Sequence, residues 1–247
     1  MTLQKSDTNQ KNTQAVCLTV MGDFNSYRIS TNIKYQRSYT IPTKTTLIGM
    51  LGAALGMQNK ELEVLFKTVK TNAVLISLMG RAKDLWLVSK LKADGNHEKS
   101  PIIREVLVNP IYMIYYQADN DMLLKIIDAL KDPKFVLSLG RSDEMIEIKD
   151  IQTLKLTETK DIASFKNTII PFNYRSLFLS YETIPVQKGT SMELPEVINI
   201  PVSFEYDSAG RRKASESKDV TIIYELGIKL KDSSGSWNDG KRNLFLY

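Results

Sequence analysis

Cations and aromatic rings alternate over one short stretch of this chain: Tyr27, Arg28, Lys34, Tyr35, Arg37, Tyr39 and Lys44. Single-stranded RNA is recognised by such a mixture, with cations on phosphates and aromatic faces stacked on splayed bases. A solvated loop whose tyrosines cover a sheet edge has the same composition. Just beyond it, Thr43-Lys44-Thr45-Thr46 precedes an apolar run. There the free N–H groups and the positive end of a helix dipole would favour a phosphate beside Lys44 and Thr45. A capped helix packed on a sheet fits those residues too. Gly140-Arg141 at a turn would let a planar guanidinium grip a phosphate bidentately, or pair with Asp143 or Glu144.

Composition limits the chemistry. The single histidine, His97, excludes metal sites built on several imidazoles and any mechanism needing a histidine pair. The single cysteine, Cys17, excludes an internal disulfide and a cysteine metal cluster; it lies in an alternating apolar run and reads as a small core side chain. No cofactor or metal is expected. With 43% hydrophobic and 25% charged residues the chain has the makings of a proper core, and its net charge of +5 suits a polyanionic partner without specifying one. Its polar first residues contain no apolar signal-like run, and its longest apolar stretch, Leu47 to Met57, is far short of a bilayer span, so a cytoplasmic location is expected. Thr43-Lys44-Thr45 lacks the preceding glycines of a Walker A loop, and Gly52-x-x-x-Gly56 lies in a helix too short to be a membrane dimer motif.

These residues need elements to hold them. A first strand is predicted over Ala15 to Met21, then a polar, irregular segment from Phe24 to Thr40. A helix follows over Leu47 to Gly56, with Thr43 or Thr45 as its N-cap. Gly49, Gly52 and Gly56 share a helical face, and three glycines there imply close approach by another element. A second helix is expected over Glu61 to Val69. Strands are expected at Ala73 to Leu78, Leu85 to Ser89, Ile102 to Val108 and Ile111 to Tyr116, with a mobile polar loop from Lys90 to Ser100. Asp119 or Asn120 caps a helix over Met122 to Leu130, stopped by Asp132-Pro133, and a strand pair follows around Met145 to Ile148 and Ile151 to Leu156. This order predicts an α+β fold with a β-α-β-β-α-β split sheet, ferredoxin-like or RRM-like, over residues 15–156. Residues 157–247 read as a smaller β-rich part in which Asp207 to Asp219 is a flexible loop.

Pro42-x-Lys44-Thr45-Thr46-Leu47-Ile48-Gly49-Met50-Leu51-Gly52-Ala53-Ala54-Leu55-Gly56 closely resembles the first-helix signature of the Cas five family, RAMP proteins of type I CRISPR systems. Three stretches add to the likeness. They are Phe24 to Arg28, Arg104-Glu105-Val106-Leu107-Val108-Asn109-Pro110-Ile111-Tyr112, and Leu139-Gly140-Arg141-Ser142-Asp143, where Asp143 stands for the usual glutamate. The resemblance implies a RAMP domain with a β-hairpin thumb, here about residues 87–108 with Lys90 to Ser100 at its tip. It implies a non-catalytic subunit that binds the 5′ handle of crRNA and caps one end of the Cascade complex in antiviral defence. Its partners would be the Cascade backbone (Cas seven family) and large subunits, with target DNA met through the complex. RNA contacts would fall on Tyr27, Arg28, Lys34, Arg37, Tyr39, Lys44, Thr45, Lys92, Lys99, Arg104 and Arg141. One branch of that family cuts repeat RNA without metal, using tyrosine, lysine and histidine. His97 has no adjacent lysine and falls in the predicted loop, so metal-independent cleavage is the alternative reading.

Overall fold

The structure, a computed structural model, describes residues 11–29, 35–58, 60–92, 94–182 and 192–247. The chain opens with β1 (Asn12–Gly22) and four short strands, β2 (Phe24–Asn25), β3 (Tyr27–Arg28), β4 (Tyr35–Gln36) and β5 (Ser38–Tyr39). Helices α1 (Lys44–Leu55) and α2 (Lys60–Thr68) come next, followed by β6 (Lys70–Ser77), β7 (Gly80–Leu91), β8 (His97–Val108), β9 (Ile111–Gln117) and α3 (Asn120–Lys131). The rest is β10 (Ile146–Thr159), β11 (Ala163–Phe165), β12 (Thr168–Ile170), β13 (Phe178–Tyr181), β14 (Glu196–Tyr206), β15 (Arg212–Ile223), β16 (Ile228–Leu230), β17 (Ser236–Asn238) and β18 (Asn243–Phe245). The fold is α+β and dominated by sheet.

The centre of the main sheet runs β6-β9-β1-β10, with every neighbouring pair antiparallel. Period-two alternation sorts its side chains. Val16, Leu18 and Val20 of β1 and Tyr112, Ile114 and Tyr116 of β9 form one core with Leu47, Ile48 and Leu51 of α1 and Leu123 and Ile126 of α3. The intervening residues Ala15, Cys17 and Tyr115 face the other way, into a second cluster with Leu244 and Leu246. Burial pushes the Cys17 thiol up to about 12, as befits a core side chain.

Thr43 is the N-cap of α1, and its carbonyl accepts from the N–H groups of Thr46 and Leu47. The helix begins earlier than the apolar pattern indicated because Lys44 to Thr46 belong to its first turn. Two tyrosines of β9 hold the helix entrance: Tyr112 Oη donates to the Thr40 carbonyl and Tyr116 Oη to the Leu47 carbonyl, each at 2.8 Å. The three glycines do not act as one packing face. Gly49 is exposed, with open space where a Cβ would stand. Gly56 closes the helix at φ +72. Gly52 admits a close neighbour from α2, Leu62, whose Cδ2 lies 2.1 Å from the position of a Cβ, while at Gly56 a Cβ would meet Lys134 Cγ at 2.7 Å.

Four further expectations are corrected. Residues 145–156 are not a strand pair; β10 is one strand, with a register irregularity opposite Thr19 and Val20. The boundary after residue 156 therefore cuts through a strand. The segment from Asp207 to Asp219 is not a loop: Arg212 to Asp219 are paired with β14 as the exposed half of β15. The hairpin starts at Gly80, not residue 87, and Lys90 to Ser100 is mostly ladder, with Leu91 opposite His97 and Lys92 N donating to the Asn96 carbonyl. Residues 94–99 and 212–219 are exposed, so no buried face imposes there the apolar alternation by which strands are recognised. The C-terminal strands also extend the main sheet at both ends, β12, β15 and β14 beyond β6, and β17 and β18 beyond β10.

Gly52→Leu is expected to destabilise the chain by about 1–3 kcal/mol through overpacking against α2, while Gly52→Ala, which displaces only the end of the Leu62 side chain, costs less than about 1 kcal/mol. Urea unfolding of the two variants checks the order, and equal stability would remove the α1–α2 contact as the reason for glycine at this position.

Candidate nucleic-acid interface

In an RRM-like sheet the face away from the helices is the expected platform for bases. Here that face is covered. Leu244 and Leu246 are buried on it beside Ala15, Cys17, Val74 and Tyr115, and Tyr115 Oη donates to Asp239 Oδ2 at 2.6 Å. A cationic surface must be sought elsewhere.

It lies where the short strands after β1 meet the hairpin. A cleft of about 180 Å3 is lined by Arg28, Arg37, Arg141, Thr46 and Gly140, with Arg104 and Glu105 in its wall. Pairing of β3 with β5, Tyr27 opposite Tyr39 and Arg28 opposite Ser38, brings Arg28 and Arg37 together at its rim. Both are exposed, and among the described residues neither has a carboxylate partner. Arg141 enters from the loop after Leu139.

That loop is held by Glu144, only 3% exposed. Its carboxylate accepts from Ser26 N at 2.7 Å, Ser26 Oγ at 2.5 Å, Arg104 Nη1 at 3.1 Å and Arg141 N at 2.9 Å. Asn25 Nδ2 adds a bond to the Leu139 carbonyl at 2.7 Å. Gly140, at φ +118, passes so close that a Cβ would lie 2.4 Å from the Ser26 carbonyl oxygen and 2.2 Å from Glu144 Oε2. The motif thus needs its glycine for backbone approach. The anchoring carboxylate is Glu144, one residue beyond the exposed Asp143.

Arg104 and Glu105 are adjacent in β8 and so point to opposite faces. Arg104 reaches Glu144 and, at 2.7 Å, Asp84 Oδ2. Glu105 accepts from Ser38 N at 2.9 Å and from Arg81 Nη1 at 3.1 Å. Arg81 also reaches Thr40 Oγ1 at 2.7 Å and Glu193 at 3.0 Å. One dipeptide therefore fixes the Gly-Arg loop on one side and the Ser38 strand on the other.

Several expected contact residues have other duties. Arg104 is buried with its charge taken by Asp84 and Glu144, so it is a structural cation. Tyr27 and Tyr39 are buried in the core and cannot stack on bases; Tyr27 packs edge-on against Tyr112, 6.0 Å between ring centroids. Desolvation, with Tyr112 beside it, raises the Tyr27 phenol well above its usual range, and burial also raises Tyr39. In β3 alternation turns Tyr27 inward and Arg28 outward, whereas both residues of β5 are buried. Tyr35 remains exposed, with Lys83 Nζ 5.7 Å from its ring centroid.

Lys44 does not line the cleft. Its Nζ lies 5.8 Å from the Tyr247 ring centroid, and burial, with Lys218 nearby, lowers its pKa. The Thr45 hydroxyl lies 3.1 Å from Thr43 Oγ1. Lys92 and Lys99 are exposed on the distal hairpin, Lys92 3.4 Å from Glu98. His97 is exposed, its Nδ1 3.0 Å from Ser89 Oγ. Lys34 lies outside the described residues. Ser26, Arg81 and Trp86 carry no signal of these roles in the sequence; Glu144 reads there only as an alternative ion-pair partner of Arg141, whereas its carboxylate accepts from Arg141 N and pairs with Arg104.

Glu144→Ala leaves Arg104 and two Ser26 donors buried without their acceptor, and a loss of about 3–5 kcal/mol is expected. Chemical denaturation measures it; a loss below about 1 kcal/mol would show that water replaces the carboxylate at no appreciable cost.

Comparison with known proteins adds three findings. The family model described as CRISPR-associated protein (Cas_Cas5) matches residues 15–170, more than half of the chain. A chain of a "CRISPR RNA-guided surveillance complex" superposes with a TM-score of 0.56 at 16% identity, covering 87% of this chain and 90% of its own. A CRISPR protein from Archaeoglobus fulgidus does so with a TM-score of 0.54 at 10% identity, covering 93% and 98%. No curated protein matches in sequence. Identities this low speak for the fold alone, whereas the family match spans the first strand, the glycine-bearing helix, the hairpin and the Gly-Arg loop described above. The chain belongs to the CRISPR-associated protein (Cas_Cas5) family, the Cas five family of the sequence resemblance.

Proposed function

We propose that the chain binds the 5′ handle of crRNA as a non-catalytic subunit at one end of a type I Cascade complex. Its partners there are the Cascade backbone (Cas seven family) and large subunits, and it meets target DNA through the complex. The observation that carries this reading is the cleft in which Arg28, Arg37 and Arg141 converge, with no carboxylate paired to Arg28 or Arg37 among the described residues. Three guanidiniums around a narrow cleft suit consecutive phosphates of one strand. The split order β6-β9-β1-β10 supports a ferredoxin-like RAMP core that runs to the end of β10, with the strands after it as its β-rich complement. The hairpin β7–β8, with twelve residues in each arm, is the candidate thumb.

Handle RNA affinity should fall steeply with salt. Arg141→Ala is expected to weaken binding by about 1–2 kcal/mol and to reduce the salt slope by about one. Lys44→Ala, outside the cleft, is expected to leave the slope within error. A reversed result in filter binding at several salt concentrations would move the phosphate site to the α1 entrance. Incubating the purified chain with labelled repeat RNA and EDTA separates the enzyme alternative: metal-independent cleavage would overturn the non-catalytic reading.

Among the described residues, replacing 89–99 by a Gly-Ser turn removes only exposed ones. The melting temperature should change little, because the excised arms bury little apolar surface. Target-DNA binding by reconstituted Cascade containing the shortened subunit should fall; unchanged binding would sink the thumb assignment.

A further inference from the structure

The hairpin and the arginine cleft meet at Trp86. The guanidinium carbon of Arg141 lies 3.7 Å from its ring centroid and that of Arg104 lies 4.4 Å away. The two cations differ in what else holds them. Arg104 is buried and clamped edge-on by Asp84 and Glu144. Arg141 has a side chain 39% exposed, and its one carboxylate neighbour among the described residues is the exposed Asp143, 3.5 Å from Nε. A guanidinium stacked on an aromatic ring is held by its face, while its N–H groups lie in plane at its rim. Stacking therefore fixes direction and leaves donors free, whereas a carboxylate clamp consumes them. A group meant for a phosphate needs the first kind of support.

We propose that Trp86 is a positioning residue for the RNA-phosphate site. By stacking on Arg141 it aims that guanidinium into the cleft beside Arg28 and Arg37, and it ties the middle of the hairpin to the bound phosphate. The proposal rests on reading the cleft as the RNA site. It carries a spectroscopic consequence: a phosphate engaging Arg141 changes the surroundings of the indole, so Trp86 reports occupancy. Trp237, the other tryptophan, packs in the separate cluster on the opposite sheet face and is removed as Trp237→Phe.

The experiment uses the full chain carrying Trp237→Phe and unlabelled single-stranded RNA copied from the 5′ segment of the host's own guide. Indole emission should change saturably, with the midpoint found by filter retention, and Arg141→Ala should abolish the change. Trp86→Leu should weaken RNA binding roughly tenfold, the scale of a partly desolvated cation–aromatic contact. It should lower the salt slope by about one. Arg141→Ala added to it should cost nothing more, since both changes remove one interaction. Trp86→Phe, which keeps a ring, should restore binding to within about threefold. Additive losses, or a Trp86→Leu slope equal to that of the unaltered chain, would reduce Trp86 to a packing residue while leaving the cleft intact. Arg141→Ala binding at full affinity and slope would overturn the cleft reading and this proposal together. Should Trp86→Leu fail to fold, the emission titration decides: RNA retained on the filter with no change in emission overturns the proposal.

Discussion

A buried carboxylate is tolerable only when donors surround it, and Glu144 is surrounded by the residues that shape the cleft. Its four contacts come from Ser26 after β2, Arg104 of the hairpin and Arg141 of its own loop. Desolvating such a group costs several kcal/mol, which the converging N–H and O–H groups must offset. Any displacement of one element leaves donors or the acid unpaired, so the three segments keep one arrangement. The close passage of Gly140 along Ser26 follows from that constraint, as no side chain fits between them.

Strand alternation turns this local knot into a wider frame. Arg104 serves the Glu144 side of the hairpin, and Glu105 serves Ser38 and Arg81 on the other. Thr40, bonded by Arg81, lends its carbonyl to Tyr112, and Tyr116 holds the first turn of α1. A continuous path of buried and half-buried polar contacts thus runs from the Gly-Arg loop through the hairpin base to the helix entrance. Rigid support of this kind keeps exposed arginines within a narrow cleft instead of dispersed over a loop.

The C-terminal strands decide which surface remains for a ligand. By burying the helix-free face of the sheet under Leu244 and Leu246, they remove the platform an RRM-like sheet would offer to bases. The arginine cleft is an edge site, cationic and narrow, beside a long hairpin. That arrangement favours gripping a backbone over stacking on a row of bases.

The sequence by itself determined the elements that have a buried face. The alternation Val16, Leu18, Val20, the helical spacing Leu123, Ile126, Leu130 and the Asp119 cap, whose Oδ1 accepts from Met122 N at 2.8 Å, all correspond to elements of the fold. It also singled out Gly140-Arg141 and the Arg28–Arg37 stretch, because their residue types are costly or unusual where they stand. Only the tertiary structure decided which cations are free. Arg104 and Arg141 read alike in sequence and both stack on Trp86, yet Asp84 and Glu144 neutralise Arg104 while Arg141 has only the exposed Asp143 beside its side chain among the described residues. Nor could sequence separate the buried Tyr27 and Tyr39 from the exposed Tyr35, since burial depends on what packs above a strand. The two projecting hairpins were hidden for the converse reason: cross-strand backbone bonds hold them, and backbone bonds leave no signature in side-chain polarity.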